Sequence, residues 1–418
     1  MSSRTKYVVL STSTCLTLML LVGNVIGKGA SSSDDTLKHI GVFSDVVSHI
    51  KAEYVEEPDM KSVTLGALNG MLEAIDPFAS YLNADQYKEY LRNKDAKRAD
   101  VGLILSRRFG LLGVVDAAPN SPASKAGFST YDMIESIKGI STRDMPLAYA
   151  NLLLEGDGGS SVEVSVVHVR RSEPQTVKLT RAFTPLPSVE SKMIDGQVGY
   201  INVDALSAAQ VKEIAAAVQK LQKEGAQKLT VDVRNCALGT PEDGIAAANL
   251  FEASGRLAYL EGQRVSRQDF NADPAKAVTT LPVVVLTNRG TAGAAELFAA
   301  ALLDNQRAKV VGERTYGDAA VRKPITMDDG AAIILSVAKY YSPNPHDRDT
   351  ATGRLKAIQD TGVSPSVAVA DTESQIEYDD NGEPLPESID QQQQQQKKKV
   401  EDDPVVKKAL EVLAGAKA

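Results

Sequence analysis

Apolar residues recur every three or four positions in the first part of the chain, which is the period of a helix. Residues 75–78 interrupt this spacing, because Pro77 disfavours a helical backbone in the residue before it. Tyr87 and Leu91, four residues apart, predict one further short helix. The recurring apolar positions are Leu37, Ile40, Phe43, Val46, Val47, Ile50, Leu65, Leu68, Met71 and Leu72.

The pattern changes twice further along the chain. Residues 98–183 hold short β-rich runs separated by turn residues, with one apolar helix at 147–154. From about residue 195 strands and helices alternate. Strands are predicted at 198–203, 229–233, 283–286, 309–312 and 332–338, and helices at 208–223, 241–251 and 294–303. Because the central strands are almost continuously apolar, they predict a sheet covered by helices on both faces.

Both ends of the chain differ in composition from its body. Arg4 and Lys6 precede an uncharged, mostly apolar stretch at 7–26, which predicts an export signal. That stretch is long enough to cross a bilayer, so either a cleaved signal peptide or a retained anchor fits it. Residues 371–400 form a low-complexity linker, and an amphipathic tail helix is predicted to start after Asp402 or Asp403.

Composition narrows the chemistry that the chain can perform. Its 418 residues include 46 Lys and Arg against 54 Asp and Glu, a formal net charge of −8, which argues against a nucleic-acid partner. Four His and two Cys are too few and too scattered for a multi-histidine metal site or a disulfide scaffold. We therefore expect no metal and no cofactor, and any chemistry must come from Ser, Thr, Lys, Asp or Glu.

Three groups of short motifs follow one another through the chain. They include Asp76-Pro77-Phe78, then Gly102-Leu103 and Ser121-Pro122-Ala123, then Asp232-Val233-Arg234-Asn235, Gly290-Thr291-Ala292 and Glu296. Together, and in this order, the motifs resemble those of the carboxyl-terminal processing (tail-specific) peptidases, a family of serine peptidases with a PDZ domain. The match extends over residues 36–370.

The resemblance implies a fold of the α/β plus all-β class. A PDZ domain at 98–183 would be inserted ahead of an α/β tail-specific-peptidase core at 184–370, a crotonase-like mixed sheet with helices. An N-terminal helical leader at 31–97 would precede the PDZ domain. The signal peptide or signal anchor would occupy 1–30, and the linker and tail helix 371–418.

The family's reaction uses a serine nucleophile and a lysine general base that burial keeps neutral. In this chain Gly293 occupies the nucleophile slot and Asp318 the lysine slot. Arg322 replaces the glutamine that orients the lysine. Leu238 and Gly239 lie in the oxyanion loop, which lacks the family's Pro and one Gly, so its tight turn is disfavoured. The resemblance therefore implies a pseudo-peptidase with no intact catalytic residue.

The PDZ-like segment implies a peptide-binding groove. PDZ domains add a peptide as an extra strand and capture its terminal carboxylate on backbone amides of a glycine-containing loop. The residues expected to form the loop, strand and pocket are Val101, Gly102, Leu103, Ile104, Leu105 and Leu152. The expected partners are protein or peptide C-termini, a partner peptidase or an envelope protein.

We expect an exported, catalytically inactive homologue in the periplasm or cell envelope, anchored to the inner membrane if the signal is retained. Two alternatives stay open. A working serine endopeptidase could use a relocated Ser/Thr–Lys dyad, with Thr291 and either Lys309 or Lys323 as candidates, or Cys236 with a distant histidine. A structural envelope protein would leave the groove unused.

Overall fold

The computed structural model describes residues 37–94, 96–108, 110–143, 145–169, 173–343, 357–370 and 400–415. The predicted export signal and the linker at 371–399 lie outside these residues. Contacts divide the chain into two units, Met1–Ala67 and Leu68–Ala418. Within the described ranges, no helix combines the length and the apolar character that crossing a bilayer requires.

The helices follow the predicted three- and four-residue spacing closely. The first unit contains helix α1, at residues 37–53, and the start of helix α2, Met60–Glu73. Helices α3 to α9 span, in chain order, Ala84–Asn93, Pro122–Lys125, Leu147–Leu154, Ala208–Lys223, Pro241–Asn249, Ala294–Asp304 and Pro404–Gly415. Helix α6 begins after Ser207, whose hydroxyl accepts a hydrogen bond from the amide of Ala209 at 3.2 Å.

The strands form three sheets. Strands β1 to β17 span, in chain order, Ser80–Leu82, Leu103–Arg108, Leu111–Ala117, Met133–Ile137, Ile140–Ser141, Ser161–Val167, Gln175–Thr180, Glu190–Ile194, Val198–Asn202, Lys228–Asp232, Arg256–Gly262, Val265–Asn271, Val283–Thr287, Ala308–Gly312, Ala320–Thr326, Ala332–Tyr341 and Val367–Ala368. The sheet orders are β2-β3-β4-β6-β7 with β5 on β4, β17-β14-β13-β10-β9-β8, and β1-β16-β11-β12 with β15 on β16.

The central sheet, β17 to β8, comes from the region of alternating strands and helices. Its strands are parallel except β8, which pairs antiparallel with β9. In register, Val231 lies opposite Val285, and Val285 opposite Val310. Side chains alternate between the two faces of a strand, so such apolar runs need cover on both sides.

The two faces of the central sheet are covered by helices from distant parts of the chain. Val283 and Val285 pack in a cluster with α6, α7 and α8. Val284 and Leu286 face the other way and pack against Val405 and its neighbours in the tail helix α9. The expected cover on both faces is therefore present, and one face receives it from the end of the chain.

The tail helix is fixed at its start by Asp403. Its Oδ1 accepts hydrogen bonds from the amides of Val405 at 2.7 Å and Val406 at 3.3 Å, as an N-cap does. Its Oδ2 also lies 2.8 Å from Nη1 of Arg234, which follows β10. Of the two caps that the sequence allowed, Asp403 is the one the structure uses.

Several strands were not predicted from the sequence: β1, β5, β7, β8, β11, β12 and β17. Most side chains of β12 are exposed, and those of β15 are exposed or half-buried, so neither strand shows the apolar alternation of a half-buried strand. Strands β1, β5 and β17 have only two or three residues. Tertiary pairing defines these strands, because β1 and β15 both pair with β16.

Candidate functional site

The nucleophile slot lies in the sharp turn between β13 and α8. Gly293 directly precedes α8 and has φ +61° and ψ −118°. A Cβ built on Gly293 would meet no atom closer than the carbonyl oxygen of Asp318, at 3.8 Å. The turn thus has space for a side chain, and its backbone conformation is one that glycine adopts at low cost. Strand-to-helix turns of this kind present nucleophilic side chains in unrelated hydrolases.

Side chains around the turn hold it against the end of β10. Asn288 Oδ1 accepts hydrogen bonds from the amides of Asn235 and Gly290, both at 3.0 Å. The hydroxyl of Thr291 donates to the carbonyl of Val233 at 2.8 Å. Because these bonds link two neighbouring parallel strands at their carboxyl ends, the turn keeps its shape without a catalytic side chain at Gly293.

Glu296, in the first turn of α8, joins the nucleophile slot to the base slot. Its carboxylate accepts hydrogen bonds from the amides of Gly293 at 3.0 Å, Gly317 at 2.7 Å and Asp318 at 2.7 Å, and from the hydroxyl of Thr315. Glu296 is fully buried. Burial raises its pKa to about 7, although the four donors favour the ionised form.

The base slot holds an ion pair in place of a lysine. Oδ1 of Asp318 lies 2.5 Å from Nη2 of Arg322. Burial raises the pKa of Asp318, and the neighbouring Arg322 opposes that shift. The guanidinium of Arg322 lies 4.1 Å from the ring centroid of Phe78, a cation–π contact. The two substituted slot residues thus bind each other and the 76–78 segment.

The predicted oxyanion loop keeps one glycine of its turn, Gly239. Gly239 has φ +140°, and a Cβ there would lie 1.9 Å from the carbonyl oxygen of Leu206. The amide of Leu206 in turn donates to the carbonyl of Leu238 at 2.8 Å, and the amide of Ala292 donates to that of Cys236 at 3.0 Å. The structure therefore brings the loop next to the nucleophile turn, even without its Pro and second Gly.

The side chains considered for a relocated dyad lie in unsuitable surroundings. Thr291 is fully buried and its hydroxyl bonds backbone groups. Lys309 and Lys323 are exposed on strands β14 and β15. Cys236 is fully buried, and burial raises its pKa well above the ordinary value, which disfavours the nucleophilic thiolate.

The six predicted peptide-binding residues fall into three environments. Leu105 and Leu152 line a cleft of about 470 Å³ between β2 and α5, which Asp318 and Arg322 also line. Gly102, Leu103 and Ile104 line a separate cavity of about 170 Å³ together with Leu238. Val101 is fully buried in the apolar cluster of this sheet. The structure thus joins part of the predicted groove to the predicted base slot, which the sequence alone did not indicate.

Four charged residues outside the predicted catalytic and peptide-binding positions also line the cleft. They are Lys94, Arg98, Asp100 and Glu155. Burial raises the pKa of Asp100 and Glu155. Asp100 Oδ1 accepts a hydrogen bond at 2.8 Å from the amide of Gly102, in the glycine loop. Their spacing in the sequence carries no signal, because they meet only through the packing of β2 against α5. Within the described residues, no group of acidic, His or Cys side chains suits a metal ion.

Comparisons with known proteins agree with this arrangement. The model of peptidase family S41 matches residues 197–369. The carboxyl-terminal-processing protease of Synechocystis sp. is 32% identical over 306 residues, 71% of each chain. The carboxy-terminal processing protease CtpA of Bacillus subtilis is 30% identical over 355 residues, 84% of this chain and 73% of the relative. This chain belongs to peptidase family S41.

Structural similarity extends the family relationship to the whole fold. The structure of a photosystem II D1 C-terminal processing protease matches with a TM-score of 0.63 at 27% identity, and covers 81% of this chain and 89% of that one. The mixed α/β fold is therefore similar to that of this processing protease. The residues predicted for the nucleophile, base and orienting positions, Gly293, Asp318 and Arg322, lie within the matched residues 197–369.

Proposed function

We propose that this protein is an exported, PDZ-containing S41 homologue that has no peptidase activity and binds protein C-termini or a partner protein. The observation that carries the proposal is the slot geometry. Gly293 offers no side chain to attack a peptide bond, and Asp318 is paired with Arg322 at 2.5 Å. Nucleophilic catalysis requires a nucleophile and a base within hydrogen-bond reach of each other, and these slots supply neither.

The sheet of β2 to β7 supports the PDZ assignment. Its antiparallel order places β2 at an edge, next to α5, and a glycine loop precedes β2. A peptide added to such an edge gains backbone hydrogen bonds, and a pocket beside it selects side chains. Leu105, Leu147 and Leu152 supply apolar walls, and Lys94 and Arg98 supply positive charge for a terminal carboxylate.

Export is proposed from the uncharged stretch at 7–26 and its basic flank. The protein would then act in the periplasm or cell envelope as an adaptor, a decoy or the inactive subunit of an assembly. Cell fractionation with an alkaline carbonate wash tests this step. Extraction with the soluble envelope fraction indicates cleavage of the signal, retention with membranes indicates an anchor, and a cytoplasmic location contradicts export.

Incubation with a disordered substrate that ends in apolar residues tests the loss of activity. The wild type should leave the substrate intact. The triple variant Gly293→Ser, Asp318→Lys, Arg322→Gln carries the family's residue types at the three slots. A second triple variant, with Gly293→Ala in place of Gly293→Ser, is its matched control. Cleavage by the wild type that disappears in Thr291→Ala would instead establish a relocated dyad.

Peptide titration tests the binding role. Saturable binding of a peptide with a free apolar C-terminus, weakened when the carboxylate is amidated, is the expected result. Absence of saturable binding for both peptides would favour a structural envelope role over the proposed one.

A further inference from the structure

We propose that the chain's own residues 77–80, here called the resident segment, occupy one end of the groove, so that an external peptide can add only about three residues to β2. The inference rests on the proposed peptide-binding function and specifies the ligand: a short C-terminal segment. It follows from contacts on both walls of the groove.

The first contact uses the backbone edge of β2. The amide of Arg107 donates to the carbonyl of Pro77 at 2.9 Å. Strand addition depends on such outward-facing backbone groups, and here Pro77 accepts the bond that an added peptide would accept. Amides along a strand alternate in direction, so the amide of Leu105 faces the same edge. The irregularity in the pairing with β3 lies between Ile104 and Leu105 and leaves this alternation intact.

The second contact lies on the opposite wall. The amide of Ala148, in the first turn of α5, donates to the hydroxyl of Ser80 at 3.0 Å. Between the two contacts, Phe78 is buried in the same apolar cluster as Leu105 and Leu147. The resident segment therefore bridges both walls of the groove, as a bound peptide would.

The space that remains sets the length of the ligand. Phe78 and Ser80 line the cleft together with Asp100, Leu152 and Glu155. Between the glycine loop and Arg107 the edge of β2 runs from Leu103, which borders the smaller cavity, to Ser106. Three steps of about 3.3 Å separate these two residues, so the edge accommodates about three added residues before a peptide meets Pro77.

Contacts with the core also fix the resident segment in place. Ser80 lies opposite Ile334 in the pairing of β1 with β16, and Asp76 accepts hydrogen bonds from Ser336 and from the amide of Phe78. Arg322, paired with Asp318, lies against the ring of Phe78. The residues that replaced the base and its orienting group therefore help to keep the resident segment in the groove.

Labelled peptides that share one apolar C-terminus but differ in length test the proposal. A tripeptide and an octapeptide should bind the wild type with affinities within about threefold of each other, since the extra residues find no free edge. Ser80→Ala removes the bond to α5 and should raise octapeptide affinity by about fivefold, the effect of one hydrogen bond, while the tripeptide is unaffected. Ser165→Ala is the matched control, because Ser165 bonds Glu135 in the same sheet at 2.8 Å and does not line the cleft.

Hydrogen exchange at the Arg107 amide supplies a readout that needs no peptide. We expect protection in the free wild type and faster exchange in Ser80→Ala. An octapeptide that binds the wild type more than about tenfold tighter than the tripeptide, or an unprotected Arg107 amide, would overturn the inference and leave the proposed function standing. If neither peptide binds saturably to the wild type or to Ser80→Ala, the proposed function is overturned, and the inference with it.

Discussion

The predicted catalytic slots and the predicted peptide groove meet at one cleft, which Asp318 and Arg322 line and Gly293 does not, and they keep different parts of what a functional site needs. At the slots the backbone is held in place, since Glu296 accepts hydrogen bonds from the amides of both turns, but Gly293 offers no side chain. At the groove the apolar walls Leu105 and Leu152 are present, but Pro77 already uses part of the backbone edge.

This difference shows which features packing requires and which it leaves free. The nucleophile turn joins β13 to α8 beside the end of β10, and the base-slot turn joins β14 to β15, so a changed backbone in either turn would disturb the core. Gly293 has no side chain, and a Cβ there would meet no atom closer than 3.8 Å. The missing side chain therefore removes no packing from the core. In the groove, the apolar walls can pack against any apolar side chain, including one from the chain itself.

The largest effect is expected from Glu296→Gln, which keeps the shape of the side chain but turns one acceptor oxygen into a donor. The amide nitrogen would face buried N–H donors and leave them unpaired, at about 1 to 3 kcal/mol for each group. In urea titrations at about pH 8, where Glu296 is mostly ionised and accepts from all four donors, we expect the free energy of unfolding to fall by about 3 kcal/mol. Glu313→Gln is the control, since its pair with the exposed Arg289 should contribute less than about 1 kcal/mol.

The same carboxyl group should make stability depend on pH. Its folded pKa of about 7 lies above the ordinary value of 4.5, so the folded state binds more protons between these values. Stability from Glu296 is then fully present below about pH 4.5 and is lost as the pH rises through about 7. The loss is about 3 kcal/mol. A wild-type profile with the same slope as that of Glu296→Gln would contradict this assignment.

A pair of glycine substitutions sharpens the contrast between turn backbone and slot side chain. Gly239→Ala should destabilise the fold by about 2 to 3 kcal/mol, because its Cβ would lie 1.9 Å from the carbonyl oxygen of Leu206. Gly293→Ala meets no atom within 3.4 Å and should cost about 1 kcal/mol, from its positive φ alone. Thermal and urea unfolding of both variants measure the difference. Equal losses would show that the slot turn is as tightly packed as the oxyanion loop.

The smallest effect is expected from Asp318→Asn. Asp318 and Arg322 are each about one quarter exposed, and an asparagine can still accept a hydrogen bond from Arg322. The free energy of unfolding should change by less than about 1 kcal/mol. A loss as large as that of Glu296→Gln would mean that the ion pair, rather than Glu296, holds the base-slot turn.

Much of the fold was predictable from local pattern. The helix Ala208–Lys223 has the predicted bounds, because one apolar stripe and a Ser207 cap define it. The buried strands of the central sheet were also predicted, since continuous apolar runs mark them. The largely exposed strand β12 was not, because its side chains carry no such pattern.

For the candidate site, the family motifs predicted Gly293, Asp318 and Arg322 as the slot residues, but not what surrounds them. The contact of Arg322 with Phe78 and the bond from Arg107 to Pro77 join residues far apart in sequence, whereas the ion pair of Asp318 with Arg322 spans only four residues. No sequence period or motif predicts contacts between such distant residues.

The amino-acid sequence by itself determined the family and the alternation of strands and helices, and it predicts that serine and lysine are absent from the catalytic slots. These are properties of residue identity and spacing. The tertiary structure alone decided that Glu296 ties the two slot turns together, and that residues 77–80 lie across the predicted groove. The physical reason is that burial and hydrogen-bond partners arise only when distant segments pack.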